Sequence, residues 1–243
     1  MNVRSSSPAE EGPGARLRIL LRRDRELSRG HLFVFVTAGA ALGVAVEFAL
    51  GFFITSQPDV LGADRSILRR LALNRTPELT TAMRWLTILG GSAFVAVTLA
   101  LAAALVYRRT RQSRWPAFVA CTVVGNLGLD NLVKLVVGRP RPDFRALTEV
   151  TGNSFPSGHA STAAALFVSL AFLGLQWKKK LPRIWIWAGA LTLSALVATS
   201  RVYLGAHWPT DVVAGLALGG YWTAIMATAT AAWPRGGRGE EPG

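Results

Sequence analysis

Three short stretches of this chain collect residue types that can handle an oxyanion: KLVVGRPRPD at 134–143, SFPSGHAS at 154–161 and TSRVYLGAHWPTD at 199–211. They hold two of the three histidines, His159 and His207, together with Lys134, Arg141 and Arg201. A carboxylate, Asp211, follows four residues after His207. Arginine presents a planar fork of donors to an oxyanion, and lysine a compact point charge. Pro156-Ser157-Gly158-His159 reads as a helix start, where free N–H groups and the dipole favour an anion. Ser157 can cap that helix, and Gly158 lets a ligand come close to the backbone. Phosphate is the oxyanion this set suits best. The sequence has neither a dense carboxylate set for Mg²⁺ nor a His-Glu-x-x-His pattern for zinc, so the cradle is expected to need no metal and no cofactor.

The two histidines suggest a division of labour. Pro209 favours the first turn of a helix, which puts Asp211 just inside it, where a carboxylate can orient the His207 ring and raise its basicity. His159, on another element, is then free to protonate a leaving oxygen. That pairing reads as phosphoryl transfer through a phosphohistidine, followed by attack of water. Spacing alone does not decide which histidine attacks.

These residues must be positioned by membrane helices. The chain has 243 residues, 51% of them hydrophobic, and the apolar ones come in runs long enough to cross a bilayer. Six spans are expected, at about 32–54, 83–107, 115–137, 158–177, 184–204 and 210–233. The fold class is therefore all-α, a polytopic bundle of six transmembrane helices. Residues 1–31 form a basic tail, with SSSPAEEGPG disordered and ARLRILLRRDRELSR a basic interfacial helix, and 234–243 form a second tail. No cleavable signal precedes the first run, so an uncleaved first span is expected. In the long first connection, Ile67, Leu68, Leu71 and Leu73 suggest a short amphipathic helix lying on the membrane. The single cysteine, Cys121, excludes an intramolecular disulfide. The net charge of +13 flanks the spans and suits anionic lipid rather than nucleic acid.

An even number of spans puts both termini on one side, and that side carries 17 of the 27 Lys and Arg residues. The short loops RRTRQSR and KKKLPR are the densest, which makes the termini cytoplasmic and places all three motif stretches on the periplasmic or extracellular face. The amphipathic helix falls on that face too. Other polar residues have structural readings. Lys134 can pair with Asp130 one turn back, Arg139 and Arg145 read as loop charges near headgroups, and Asn126 and Asn131 as interhelical hydrogen bonders. Glu47, inside the first span, reads as one half of a pair across the bundle, with a place near the site as the alternative. The GxxxG patterns at Gly39/Gly43 and Gly215/Gly219 mark close packing within the bundle.

The three stretches resemble the signature of the type 2 phosphatidic acid phosphatase superfamily: Lys-x6-Arg-Pro, Pro-Ser-Gly-His and Ser-Arg-x5-His-x3-Asp. Here they read Lys134…Arg141-Pro142, Pro156-Ser157-Gly158-His159 and Ser200-Arg201…His207…Asp211. The resemblance implies His207 as nucleophile, His159 as acid and Asp211 as the group orienting the nucleophile. It also implies Lys134, Arg141, Ser157, Gly158 and Arg201 as phosphate binders, and no metal. The expected protein is a cell-membrane phosphatase, spanning 32–233, that acts on a lipid phosphate or diphosphate such as phosphatidic acid, phosphatidylglycerophosphate or a polyprenyl diphosphate. The rival readings are a vanadate-dependent peroxidase of the same superfamily, disfavoured by the six spans, and a non-catalytic lipid-phosphate carrier, which would not need a second histidine.

Overall fold

The computed structural model describes residues 13–177 and 182–233. Their regular structure is eight helices with no strand among the described residues: α1 (Pro13–Ser56), α2 (Pro58–Leu73), α3 (Pro77–Ile88), α4 (Ser92–Thr110), α5 (Arg114–Val137), α6 (Gly158–Trp177), α7 (Arg183–Tyr203) and α8 (Pro209–Ala232). Six carry a segment long and apolar enough to cross a membrane, in α1, α4, α5, α6, α7 and α8. The all-α six-span bundle is thus as expected. The basic stretch 15–29 continues α1 as helix, whereas residues 1–12 and the tail 234–243 lie outside the described residues.

The second span begins at Ser92 rather than at 83. Residues 77–88 belong to a separate helix, α3, which Thr76 caps by accepting from Leu79 N at 3.2 Å, with Pro77 in the first turn. The apolar residues Trp85, Leu86, Ile88 and Leu89 run into α4 in sequence, but the backbone breaks between them. Leu89, Gly90 and Gly91 close tight i→i−3 bonds, and Gly91 turns extended ahead of α4. A Cβ on Gly90 would meet His159 O at 2.9 Å, so glycine lets the end of α3 rest against the start of α6. The first connection therefore holds two helices where one was expected. On α2, Leu68 is buried and packs with Leu71 against Ala160, Ala198 and Trp208, while Ile67 and Leu73 are exposed.

Small residues decide which spans sit at the centre. The apolar window of α6 is 61% buried against 11% for α1 and α4, although all three are apolar enough to cross. Ala160, Ala163, Ala164 and Ala165 line α6, and Gly215 and Gly219 of α8 lie flat against it. A Cβ at these glycines would fall 2.5 Å from Ser157 O and 2.2 Å from Ser161 O, so any side chain would push the helices apart. Gly39 and Gly43 receive Ile225 and Tyr221 in the same way, which makes both GxxxG patterns internal seams of the bundle. The close contact of α6 with α8 brings their N-termini together and, with them, His159 and Asp211.

Candidate active site

The three motif stretches meet at one end of the bundle. Lys134 comes from the last turn of α5, Arg141 and Ser154 from the 138–157 loop, and Ser157 to His159 from the start of α6. Arg201 comes from the last turn of α7, and His207 from the short link into α8. The link is braced from outside: Arg75 donates to Tyr203 O at 2.9 and 3.1 Å and to Arg145 O at 3.1 Å, and Leu147 N donates to Leu204 O at 2.8 Å.

His207 is almost fully buried, and both of its ring nitrogens have partners of fixed character. Nδ1 lies 2.8 Å from Ser154 O, a carbonyl that can only accept. Nε2 lies 3.3 Å from Arg141 Nη1, which can only donate. Together they require the proton on Nδ1 and the lone pair on Nε2. Asp211 Oδ2 stands 3.6 Å from Nδ1, near enough for charge to matter but farther than the carbonyl. Burial lowers the His207 pKa from its ordinary value to about 4, with Arg201 and Arg141 acting in the same direction and Asp211 opposing them. The ring is therefore neutral at ordinary pH. The expected pairing with Asp211 is present, but the direct hydrogen bond goes to Ser154, a backbone partner that side-chain patterns do not reveal.

Two of the three cations have no carboxylate partner. Arg141 is held by the carbonyls of Thr151, Gly152 and Ala206 at 2.6 to 2.9 Å. Arg201, only 4% exposed, donates to Thr87 Oγ1 at 3.0 Å and keeps a buried Nε with no partner. Ser157 Oγ is likewise buried and unpartnered, so it does not cap α6 and stays available to a ligand. Lys134 is bonded to Asp130, and a Cβ on Gly158 would lie 2.9 Å from its Nζ. Gly158 is thus the residue that lets the ammonium reach the start of α6. His159, partly buried and without a hydrogen bond, is close enough to Arg201, His207, Lys134 and Arg141 to feel their charges. Buried donors left open beside fixed positive charge make this a candidate anion site.

Several structural readings change. Arg139 is not a headgroup-facing loop charge: it is 2% exposed and forms ion pairs with Asp64 and Asp211. Arg145 is exposed, as expected. Asn126 does bond across helices, to Ser161 Oγ at 3.2 Å, but Asn131 bonds only within α5, to Leu127 O at 2.9 Å. Glu47 is buried and its Oε2 has no partner, so the expected pairing across the bundle is not formed. Sequence alone does not single out Asp64, Ser154, Thr87 or Thr210, since each acts through a contact made far along the chain.

The model of the PAP2 superfamily matches residues 115–235, which contain every motif residue above. Phosphatidylglycerophosphatase B of Bacillus subtilis is 35% identical over 66% of this chain and 79% of its own length. The chain belongs to the PAP2 superfamily. Lipid A 1-phosphatase of Rhizobium etli is 36% identical to this PAP2 protein over 46% of the chain and 48% of the relative. Among solved structures, the transmembrane PAP2-type phosphatidylglycerolphosphate phosphatase of Bacillus subtilis superposes with a TM-score of 0.71 at 27% identity, covering 77% of this chain and 93% of that one. These relatives are lipid phosphatases, and the six spans make this PAP2 protein a multi-pass membrane protein.

Proposed function

We propose that this membrane phosphatase hydrolyses a lipid phosphate at the extracytoplasmic face through a phosphohistidine on His207, without a metal. The observation that carries this is the His207 ring, whose Nδ1 is committed to Ser154 O and whose Nε2 lone pair faces Arg141. A phosphate held by Lys134, Arg141, Arg201, Ser157 and the backbone at Gly158 takes over the Arg141 donor and meets Nε2. The nitrogen attacks phosphorus, an N–P bond forms, the P–O bond to the lipid breaks, and His159 gives its proton to the departing oxygen. Water then attacks the phosphohistidine, passes a proton to His159 and releases inorganic phosphate, which restores both rings. Asp211 balances the positive charge that the phosphorylated ring carries.

The lipid tail reaches the site laterally between helices. The relatives' names favour phosphatidylglycerophosphate, with phosphatidic acid and polyprenyl diphosphates as the other candidates. Phosphate release in detergent, over a panel of these lipids and in EDTA, tests the reaction. Activity is expected to survive chelation and to vanish in His207→Ala, a loss on the order of 10⁴-fold or more. A fully active His207→Ala protein would overturn the mechanism. The orientation rests on the concentration of Lys and Arg in the loops beside the termini. A reporter fused at 178–183 should read cytoplasm, and an external signal would reverse the assignment.

A further inference from the structure

The motif residues do not account for a second set of buried charges behind His207. Arg139 Nη1 donates to Asp211 Oδ1 at 2.6 Å and to Thr210 Oγ1 at 2.8 Å. Its Nη2 donates to Asp64 Oδ2 at 2.7 Å, reaching across to α2. Asp64 in turn accepts from Thr210 N at 3.1 Å and from Thr210 Oγ1 at 2.6 Å. Arg139 also lies over the Trp208 ring at 5.3 Å. Arg139, Asp64 and Asp211 are each no more than 2% exposed, so water screens these charges little.

This arrangement does two things for Asp211. With Oδ1 committed to Arg139, the carboxylate turns Oδ2 toward Trp208 N at 3.0 Å and toward His207 Nδ1. The charge balance matters as much. Arg139 and Asp211 alone would cancel, leaving His207 beside a neutral pair. Asp64 supplies the second negative charge, so the trio keeps one net negative charge facing the ring.

We propose that Asp64 and Arg139 are positioning residues, an Asp64–Arg139–Asp211 relay that ties the amphipathic helix α2 to the nucleophile, orients Asp211 and keeps it net negative toward His207. The relay rests on the nucleophilic role proposed for His207. Its effect is electrostatic and acts on the ring as it becomes cationic, when the N–P bond forms. Neither residue touches the phosphate.

The test is the pH profile of kcat/KM for phosphate release in detergent, on protein checked for folding by size exclusion. The other groups around His207 stay in place: Arg141 in the loop, His159 on α6, Arg201 on α7 and Asp211 on α8, with Lys134 of α5 beside His159. Asp64→Asn removes a negative charge, disfavours the imidazolium and should shift the acid limb down by roughly half a pH unit. Its kcat should fall about tenfold with little change in KM. Arg139→Gln removes the opposing charge and should move the limb up, and the charge-keeping variants that follow carry the test if these two fold poorly. Asp64→Glu keeps the charge and should leave the limb in place. Thr210→Val breaks the same network without changing charge and should also leave it in place. An Asp64→Asn limb identical to the parent, or an equal shift in Thr210→Val, would overturn the relay while His207→Ala remains inactive. An active His207→Ala would instead sink the mechanism beneath it.

Discussion

Arg139 and Arg141 stand two residues apart in GRPRP, yet the fold gives them opposite surroundings. Arg139 is clamped between two carboxylates and sealed from water. Arg141 is held only by neutral carbonyls, beside the nitrogen of His207. A guanidinium locked to carboxylates has its charge compensated and serves geometry. One fixed by carbonyl dipoles is rigid yet keeps its full charge for an incoming anion. The contrast separates the part of the site proposed to bind phosphate from the part proposed to hold His207 in place.

The contrast breaks most visibly at Arg141. Arg141→Ala should cost about 10² to 10³-fold in kcat/KM, and Arg141→Lys should recover little, because one ammonium cannot reproduce a planar fork. Its thermal unfolding in detergent should change little, and a large drop in Tm would place Arg141 with Arg139 as a structural clamp. Arg139→Gln should behave in reverse. Opening a buried pair leaves two carboxylates short of their partner and should cost about 3 kcal/mol or more of stability, read as a lowered Tm. A variant as stable as the parent would remove the distinction. The smallest effect expected is on the acid limb of the parent enzyme. In the proposed mechanism only neutral His207 attacks, and burial holds its pKa at about 4, so the ring stays neutral as pH falls through 6.5 and is protonated only near the lower value. After correction for substrate ionisation, kcat/KM should therefore hold well below pH 6. An acid limb at 6.5 would mean that the ring is solvated in the working enzyme.

Much of this could be read along the chain because membranes and phosphates impose local rules. A span needs a continuous apolar run, so five of the six expected spans fall within a few residues of those in the fold. The second span failed for a local reason as well: the run at 85–89 belongs to a separate helix, and the Gly90-Gly91 break that ends it carries no hydropathy signal. Residue type and spacing single out Lys134, Arg141, Ser157, Gly158, His159, Arg201, His207 and Asp211 as the proposed site. The fold brings their elements to one end of the bundle. Arg139 was misread because a charge in a Pro-rich loop is usually solvated, and nothing local says that Asp64 waits for it on α2.

By itself, then, the sequence determined the all-helical membrane fold, the family and the candidate residues for phosphate, since length, hydropathy and motif spacing are properties of short segments. Tertiary structure decided which charges are compensated and which remain open. It paired Arg139 with carboxylates from α2 and α8, left Ser157 and the Arg201 Nε without partners, and gave His207 Nδ1 to the carbonyl of Ser154. Those outcomes depend on distances between groups far apart in the chain, and in a buried site a change of a few ångströms decides whether a charge is cancelled or available.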